Sequence, residues 1–338
     1  MVRFTVLASG SKGNSTVITG GNTRVLVDAG LSCRELFCRM ELAGEKPETL
    51  DAIIISHEHT DHVNGVSVTA RKLGIPVYFT EGTHRAWTRI ITPRKRMTYT
   101  QWLEQCRQQA ADRLARAQAE GVANAAELFS EPISEGMVTA VDREAFAPEP
   151  GTAEAAVPAE TKEAAPEDDP AWLPKVEYFK PGERFKIGDI AVSPFTIPHD
   201  AADPTGFVFE AEGVRMAVAT DLGYLPPNVK AQLAGVDVLL LESNHDLEML
   251  RDGPYPWSVK QRVLSRVGHL SNDAAATFLE QDYDGQAAYV ILAHLSESNN
   301  LPELARVTAE RALNGRASLL ANRLLLACQH EPLSSIYF

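Results

Sequence analysis

The sequence has no apolar run long enough to cross a bilayer. Apolar stretches such as Val236–Leu241 are far shorter than the roughly 18–20 residues that a membrane-spanning helix needs. Residues 1–9 lack the charged start, apolar region and cleavage site of a secretory signal, and are typical of an opening β-strand. The four cysteines form no Cys-x-x-Cys pair, which argues against a zinc ribbon or a thioredoxin-like redox site. We expect a cytoplasmic protein with reduced thiols and no membrane partner.

Large apolar side chains are nearly missing between residues 147 and 170. This stretch holds seven acidic residues, one lysine, seven alanines and five prolines, and Val157 is its only larger apolar residue. Such a composition buries too little apolar surface to offset the entropy lost on ordering. We therefore predict an acidic, Ala/Pro-rich linker over residues 146–172. Of the net charge of −13, −6 lies in residues 147–170, so the overall acidity does not exclude a nucleic-acid partner.

A helical segment is predicted just before the linker. Residues 98–120 are rich in Gln, Ala, Arg and Leu, and with the linker they form a predicted insertion over residues 92–172. Without it about 258 residues remain, which suits one domain, so residues 1–338 are interpreted as a single domain that carries an insertion. A repair-protein partner that docks on this insertion is a further expectation.

Basic and aromatic side chains are interleaved near the start of the insertion. Residues 85–116 hold eight basic and two acidic residues, together with Trp87, Tyr99 and Trp102. Arginine and lysine attract phosphates, and aromatic faces stack on unpaired bases. The triplet Arg94, Lys95 and Arg96 is therefore a candidate nucleic-acid patch. The alternative, an amphipathic helix with a solvated basic face, stays open.

Strands and helices alternate in the rest of the chain. Apolar residues make up 44% and charged residues 23%, as in ordinary globular proteins. Two blocks of β-branched, apolar runs each have flanking helical segments, which predicts an α/β fold in four αββα layers.

The strongest chemical signal is the sequence His-Glu-His-Thr-Asp-His at positions 57–62. It directly follows the apolar run Ala52–Ser56. His57 and His59 are two residues apart, so in an extended chain they face the same way. Four ligands this close suit two neighbouring ions, with Asp61 and His62 on the second ion. The His-Glu-x-x-His pattern is not met, because residue 61 is aspartate.

Three later residues supply the ligands that this cluster lacks. His199, Asp221 and His294 each follow an apolar run, and α/β sheets form their sites at the carboxyl ends of strands. We expect His199 to complete the first ion, His294 the second, and Asp221 to bridge both. Two divalent ions about 3.5–4 Å apart stabilise the attacking and leaving oxygens of a displacement. Five imidazoles and two carboxylates suit zinc, manganese or iron.

Other polar residues are candidates for supporting roles. Asp28 ends a predicted strand and can orient a metal-ligating histidine. His245 and His269 can protonate a leaving oxygen or contact phosphate, or else serve the structure. Asp61 is expected both to bind metal and to orient the nucleophile. Residues 11–14 form a Gly-rich turn that can offer backbone N–H groups to a phosphate or be a simple tight turn.

The His-x-His-x-Asp-His motif, with the later His, Asp and His in order, resembles the metallo-β-lactamase fold hydrolases. Five segments resemble the bacterial YycJ (WalJ) subfamily more closely: Leu7–Ser15, Pro198–Pro204, Glu242–Asp246, Gly268–Asn272 and His294–Asn300. This resemblance implies a DNA 5′→3′ exonuclease that acts in mismatch repair and usually uses manganese. Phosphate or substrate contacts are expected from Ser11, Gly13, Asn14, Asn244 and Asn299. The insertion is the departure from the subfamily and accounts for the long gap between His62 and His199.

These observations predict a binuclear metal-dependent phosphodiesterase whose substrate is DNA. One rival is a small-molecule hydrolase on the same fold, such as a lactonase or a cyclic phosphodiesterase. Another is a metal-binding adaptor without catalysis, which an intact set of seven ligands argues against.

Overall fold

The structure, a computed structural model, describes residues 1–92, 169–314 and 323–338, together with positions 100, 103, 104, 107, 108 and 111. The chain divides into two compact units, residues 1–92 with 165–338 and residues 93–164. Most of the predicted insertion, including nearly all of the linker at 146–172, lies outside the described residues. The domain boundaries therefore stay predictions. The strands and helices given below belong to the first unit.

Fourteen strands can be assigned in the described part of the chain. They are β1 (Arg3–Ala8), β2 (Ser15–Gly20), β3 (Thr23–Val27), β4 (Ala52–Ile54), β5 (Val77–Phe79), β6 (Val176–Tyr178), β7 (Phe185–Ile187), β8 (Ile190–Thr196), β9 (Thr205–Ala211), β10 (Val214–Ala219), β11 (Val238–Glu242), β12 (Tyr289–Ala293), β13 (Arg323–Leu326) and β14 (Ile336–Tyr337).

The strands form two mixed seven-stranded sheets. Sheet A has the order β14-β1-β2-β3-β4-β5-β6, and sheet B has the order β13-β12-β11-β10-β9-β8-β7. In sheet A the pairs from β3 to β6 are parallel, and in sheet B the pairs from β10 to β13 are parallel. Parallel strands put their carboxyl ends at one edge, so the segments that follow them lie close together.

The helices cover the outer faces of the two sheets. The described α-helices are α1 (Cys33–Leu42), α2 (Thr60–Val63), α3 (Val66–Leu73), α4 (Glu81–Ile91), α5 (Pro227–Gln232), α6 (Leu247–Asp252), α7 (Trp257–Val263), α8 (Asn272–Gln281) and α9 (Pro302–Asn314). Side-chain oxygens of Ser32, Thr80 and Ser271 accept a backbone N–H in the first turn of α1, α4 and α8. These caps fix where the helices begin.

The apolar core has three layers because side chains alternate along each strand. In β11, Val238 and Leu240 face the cluster between the sheets, whereas Leu239 and Leu241 face the cluster under the helices of sheet B. A third cluster lies between sheet A and its helices and contains the fully buried Trp87. The predicted four-layer αββα fold is confirmed.

Within the described residues, none of the helices combines the length and the apolar character needed to span a bilayer.

Candidate metal centre

The predicted ligands lie where the two sheets meet at their carboxyl edges. The histidine-rich segment follows β4 of sheet A, whereas His199, Asp221 and His294 follow β8, β10 and β12 of sheet B. All three of these sheet B residues are buried. The structure brings the seven predicted residues together in two adjacent clusters.

Each cluster has a ligand set that can hold one metal ion. In the first, one nitrogen from each of three imidazoles lies within 4.8 Å of the others, from His57, His59 and His199. In the second, four ligand atoms meet the same limit, from Asp61, His62, Asp221 and His294. The rings of His57 and His62 have their centroids 4.1 Å apart, so the two clusters touch.

One buried atom in the first cluster has no hydrogen-bond partner among the described residues. His57 is fully buried, and its Nδ1 lies 3.0 Å from the Ser56 hydroxyl, but its Nε2 has no partner. A buried polar atom without a partner is costly and calls for an explanation. A cation on Nε2 supplies that partner, so the residues present fit a metal ion.

Asp221 lies between several imidazoles. Its Oδ2 is 3.3 Å from Nε2 of His62, and its Oδ1 is 3.5 Å from Nε2 of His294. Burial lowers the pKa values of His57 and of His199 below the ordinary range, and the charge of Asp221 opposes this effect only in part. The predicted bridge between two ions stays a prediction, which this central position supports.

Strong electrostatic interactions link the carboxylates and imidazoles of the second cluster. Burial alone would raise the pKa of Asp61, but the charge of His62 and the hydrogen bond from His294 hold it well below its usual range. Burial alone would lower the pKa values of His62 and His294, but Asp221 and the other adjacent carboxylates raise both well above their usual range. A divalent cation held by these four side chains would supply the positive charge that the two carboxylates favour.

Asp28 orients His62 from behind. Its Oδ2 accepts from His62 Nδ1 and from the Ser56 hydroxyl, each at 2.8 Å, and its Oδ1 accepts from Ser56 N–H at 2.8 Å. A proton on Nδ1 leaves Nε2 of His62 free to bind a metal. This geometry supports the role predicted for Asp28.

In sheet B a second buried carboxylate, Glu242, orients histidines as Asp28 does in sheet A. The sequence did not predict this role. Glu242 ends β11 and is fully buried, and its Oε1 accepts from Nδ1 of His269 at 2.8 Å and from Nδ1 of His294 at 2.9 Å. Burial opposes its ionisation, but the charge of His269 and the two hydrogen bonds lower the pKa of Glu242 to about 2. The only indication of this role in the sequence is the position of Glu242 directly after four apolar residues of β11.

Three residues of the site adopt left-handed backbone conformations. Asp28, Asp221 and His294 have φ values of 59°, 60° and 56°, and each lies within two residues of the end of a strand. For residues other than glycine this conformation is uncommon and costs about 1–2 kcal/mol. The three strand ends therefore carry strain of the kind that concentrates at functional sites.

The turn at residues 10–14 packs under the histidine-rich segment. The backbone N–H of Asn14 donates to Asp61 O at 2.7 Å, and the Asn14 amide donates to Asp61 Oδ2 at 3.1 Å. A Cβ atom added at Gly30 would lie 1.6 Å from Asp61 O, so only glycine allows this close approach. Asn14 is buried and engaged with a predicted ligand, and the Gly13 carbonyl accepts from Gln329.

A cleft of about 440 Å³ opens onto the two clusters. Of the predicted substrate contacts, Ser11 and Asn244 line it, and so does His269. His245 and Asn299 are buried and are not among its lining residues. Burial lowers the pKa of His245 to about 4, with smaller opposing contributions from nearby carboxylates. Of the two acid candidates, His269 is the one that reaches the cleft.

The candidate nucleic-acid patch Arg94, Lys95 and Arg96 lies outside the described residues, and it stays a prediction.

Comparison with families of known proteins gives two matches. Residues 8–103 match the Metallo-beta-lactamase superfamily, and residues 140–295 match the Beta-lactamase superfamily domain. Together the two matches contain all seven predicted ligands.

Two curated proteins are similar over most of their length. The chain is 30% identical over 312 residues to Exodeoxyribonuclease YycJ of Bacillus anthracis, which covers 92% of this chain and 89% of that protein. It is 30% identical over 306 residues to Exodeoxyribonuclease WalJ of Streptococcus pneumoniae, with 90% and 86% covered. A solved structure, the metallo-β-lactamase fold protein YhfI of Bacillus subtilis, matches with a TM-score of 0.56 over 98% of both chains at 13% identity.

Proposed function

We propose that this chain, which belongs to the metallo-β-lactamase superfamily as a YycJ/WalJ-like member, removes nucleotides from a 5′ end of DNA with two divalent ions. That it is a metal-dependent hydrolase follows from its family. The choice of DNA is supported by the curated relatives, both of which are named exodeoxyribonucleases. A role in mismatch repair, a repair-protein partner and a cytoplasmic location stay predictions.

The observation that carries the proposal is the pair of touching ligand clusters at the bottom of one cleft. His57, His59 and His199 would hold one ion, and Asp61, His62 and His294 the other, with Asp221 shared. When bound, two divalent ions lower the pKa of water and stabilise the charge on attacking and leaving oxygens. Imidazole and carboxylate ligands suit manganese, zinc or iron.

The residues of this chain prepare the reaction in three ways. Asn14 and the backbone hold the Asp61 carboxylate beside His62 and His294, where it can orient the attacking water. Asp28 and Glu242 fix Nδ1 of His62 and of His294, so that each Nε2 faces the other ligands. The strained backbone at Asp221 and His294 holds these two side chains in place before any substrate arrives.

His269 is the proposed donor of the proton to the leaving oxygen. It lines the cleft, and its Nδ1 is bonded to the buried Glu242 carboxylate, so Nε2 is the nitrogen that can exchange a proton with substrate. The buried Glu242 carboxylate holds the His269 ring in one orientation, as a carboxylate does behind a catalytic histidine. His245 shares this predicted role, although it lies away from the cleft lining.

Incubation of end-labelled DNA with purified full-length protein and manganese, followed by separation of the labelled products, tests this proposal. An exonuclease that starts at 5′ ends releases a labelled mononucleotide early from 5′-labelled DNA and shortens 3′-labelled DNA step by step. A chelator should abolish both, and Asp61→Asn should remove activity while the protein stays folded. Asp51→Asn is the matched control, because Asp51 is exposed and, within the described residues, its carboxylate accepts the backbone N–H of Arg24 and lies outside both ligand clusters.

Two outcomes would contradict the proposal. Shortening of 5′-labelled DNA from its 3′ end would reverse the direction of attack. Rapid turnover of a small ester without measurable DNA binding would instead favour the small-molecule hydrolase.

A further inference from the structure

The turn at residues 10–14 has one residue whose polar groups are left for a ligand. Within the described part of the chain, no acceptor bonds the Ser11 N–H, and Ser11 is exposed and lines the metal cleft. The other four N–H groups of the turn have acceptors at 2.7–3.1 Å, namely Asn14 Oδ1 for Gly10, Gln329 Oε1 for Lys12, Gly10 O for Gly13 and Asp61 O for Asn14. A free backbone N–H beside a free hydroxyl is a common contact for phosphate oxygens.

A side chain from outside the turn fixes its outer half. Gln329 lies three residues after β13 and is buried. Its Oε1 accepts from Lys12 N–H at 2.7 Å, and its Nε2 donates to Gly13 O at 3.1 Å, so one amide group bonds two consecutive residues. A Cβ atom added at Gly10 would lie 2.6 Å from Oε1 of Gln329, and Gly10 has a φ of 148°, so this packing requires glycine.

Gln329 is itself held in place. The buried Arg39 of α1 donates from Nη1 to Gln329 O at 2.6 Å and to Leu7 O at 3.3 Å. Beside it, Ser9 N–H donates to Cys328 O at 3.1 Å. The segment after β13 is therefore bonded to both α1 and the end of β1. Support of this kind lets a side chain hold a neighbouring loop in one position.

The inner half of the turn is bonded separately to the metal ligands. Asn14 Nδ2 donates to Asp61 Oδ2 at 3.1 Å, and Ser9 Oγ accepts from His294 N–H at 2.8 Å. Because these bonds do not involve Gln329, loss of the glutamine amide frees the outer half of the turn while the ligands stay in place. The residue that gains freedom next to the cleft is Ser11.

We propose that Gln329 is a positioning residue, which holds Ser11 where its N–H and hydroxyl bind the DNA phosphate next to the one being cleaved. This inference rests on the proposed function and adds residues that set how the DNA is held. Ser11 lines the same cleft as Asp61 and His294 but belongs to neither ligand cluster. The two clusters take the phosphate being cleaved, so Ser11 is assigned to the adjacent one.

The experiment compares two substrates of the manganese-loaded full-length protein: end-labelled DNA, which has adjacent phosphates, and a small chromogenic phosphodiester, which has one. Gln329→Met fills a similar volume and removes both hydrogen bonds of the amide. Its KM for DNA should rise about tenfold, as for the loss of one hydrogen bond to a charged group, and its kcat should stay within about twofold. Both constants for the small diester should be unchanged.

Glu45→Gln is the matched control for a change at a buried polar side chain. Glu45 is buried and bonds Arg3 and Thr5, and it lies outside the turn and both ligand clusters. This variant should keep the wild-type constants on both substrates.

A double-mutant cycle tests whether the effect passes through Ser11. Ser11→Ala alone should raise the KM for DNA, and in Gln329→Met it should add little, because the two changes disturb the same contact. Gln329→Glu is the second variant, in case the methionine prevents folding. It keeps the acceptor for Lys12 N–H, loses the donor to Gly13 O, and should also raise the KM for DNA alone. An effect of its added charge would persist in the Ser11→Ala background, whereas an effect through Ser11 would not.

The outcomes distinguish this inference from the proposed function. If wild type does not degrade DNA, the proposed function itself is wrong. If wild type degrades DNA but the Gln329 variants keep its KM, or their effect adds fully to that of Ser11→Ala, Gln329 does not position Ser11 and the proposed function stands. Slower turnover of both substrates with loss of metal in elemental analysis would make Gln329 a structural support of the metal centre, and would also overturn the inference.

Discussion

Replacing Asp28 by asparagine tests how the second cluster is prepared for metal. Asparagine tolerates the left-handed backbone at residue 28, and its carbonyl oxygen can still accept from Ser56 N–H. The change places an NH₂ group where Oδ2 now accepts from His62 Nδ1 at 2.8 Å. A donor at that point favours the His62 tautomer with its proton on Nε2. That tautomer cannot bind a metal through Nε2.

The expected loss is confined to one of two sites. Removal of a carboxylate behind a metal-bound histidine typically costs about 10–100-fold in affinity, or about 1.4–2.7 kcal/mol. The cluster of His57, His59 and His199 does not contain His62 and should keep its affinity. Asp28→Ala should be worse for the fold as well, because it leaves buried donors unpaired at about 1–3 kcal/mol each.

The assay is competition with a chromophoric chelator, which resolves two affinities per chain. Asp28→Asn should show one unchanged and one weakened site at an unfolding temperature close to that of wild type. Asp51→Asn should retain both affinities. Two unchanged affinities in Asp28→Asn would refute the reasoning, because His62 would then bind metal without a fixed tautomer.

Three further predictions concern metal and linker. Elemental analysis should give two ions per chain in wild type and fewer in Asp221→Ala, and full retention would count against the bridge. Because the raised pKa values keep His62 and His294 protonated at neutral pH, metal uptake should release protons and tighten as pH rises; calorimetry that shows no dependence on the buffer's protonation enthalpy would contradict this. Replacing residues 147–170 by a Gly/Ser linker should preserve hydrolysis of a small chromogenic phosphodiester, and loss of metal binding would make the segment structural.

The strands that carry ligands were predictable because each is an apolar run with a polar residue at its end. The parallel arrangement then brings those ends to one edge, so a one-dimensional pattern is enough to predict that His199, Asp221 and His294 lie close together. Helix α4, by contrast, has no clear pattern in the sequence that predicts it. Its sequence, Glu81–Ile91, contains glycine, threonine and isoleucine, which favour helices weakly, and it forms because Thr80 caps it and Trp87 is buried.

The ends of helices and the contacts between residues far apart in the sequence could not be predicted. A single helix over residues 63–73 is predicted, whereas the structure has α2 and α3 separated at Gly65, whose N–H donates to Ala29 O. The role of Glu242 depends on His269 and His294, which lie 27 and 52 residues further along the chain. No local pattern reveals which histidines a buried carboxylate will meet.

The ligand clusters draw on both sheets, which has a consequence for the lifetime of the protein. Four of the predicted ligands follow a strand of sheet A and three follow strands of sheet B, so bound ions would cross-link the two halves of the sandwich. Unfolding separates the sheets and destroys the site, so each tenfold rise in free metal above the dissociation constant adds about 1.4 kcal/mol per ion to the free energy of unfolding. Metal starvation would thus expose the chain to proteases, and cellular metal supply would set how much enzyme persists.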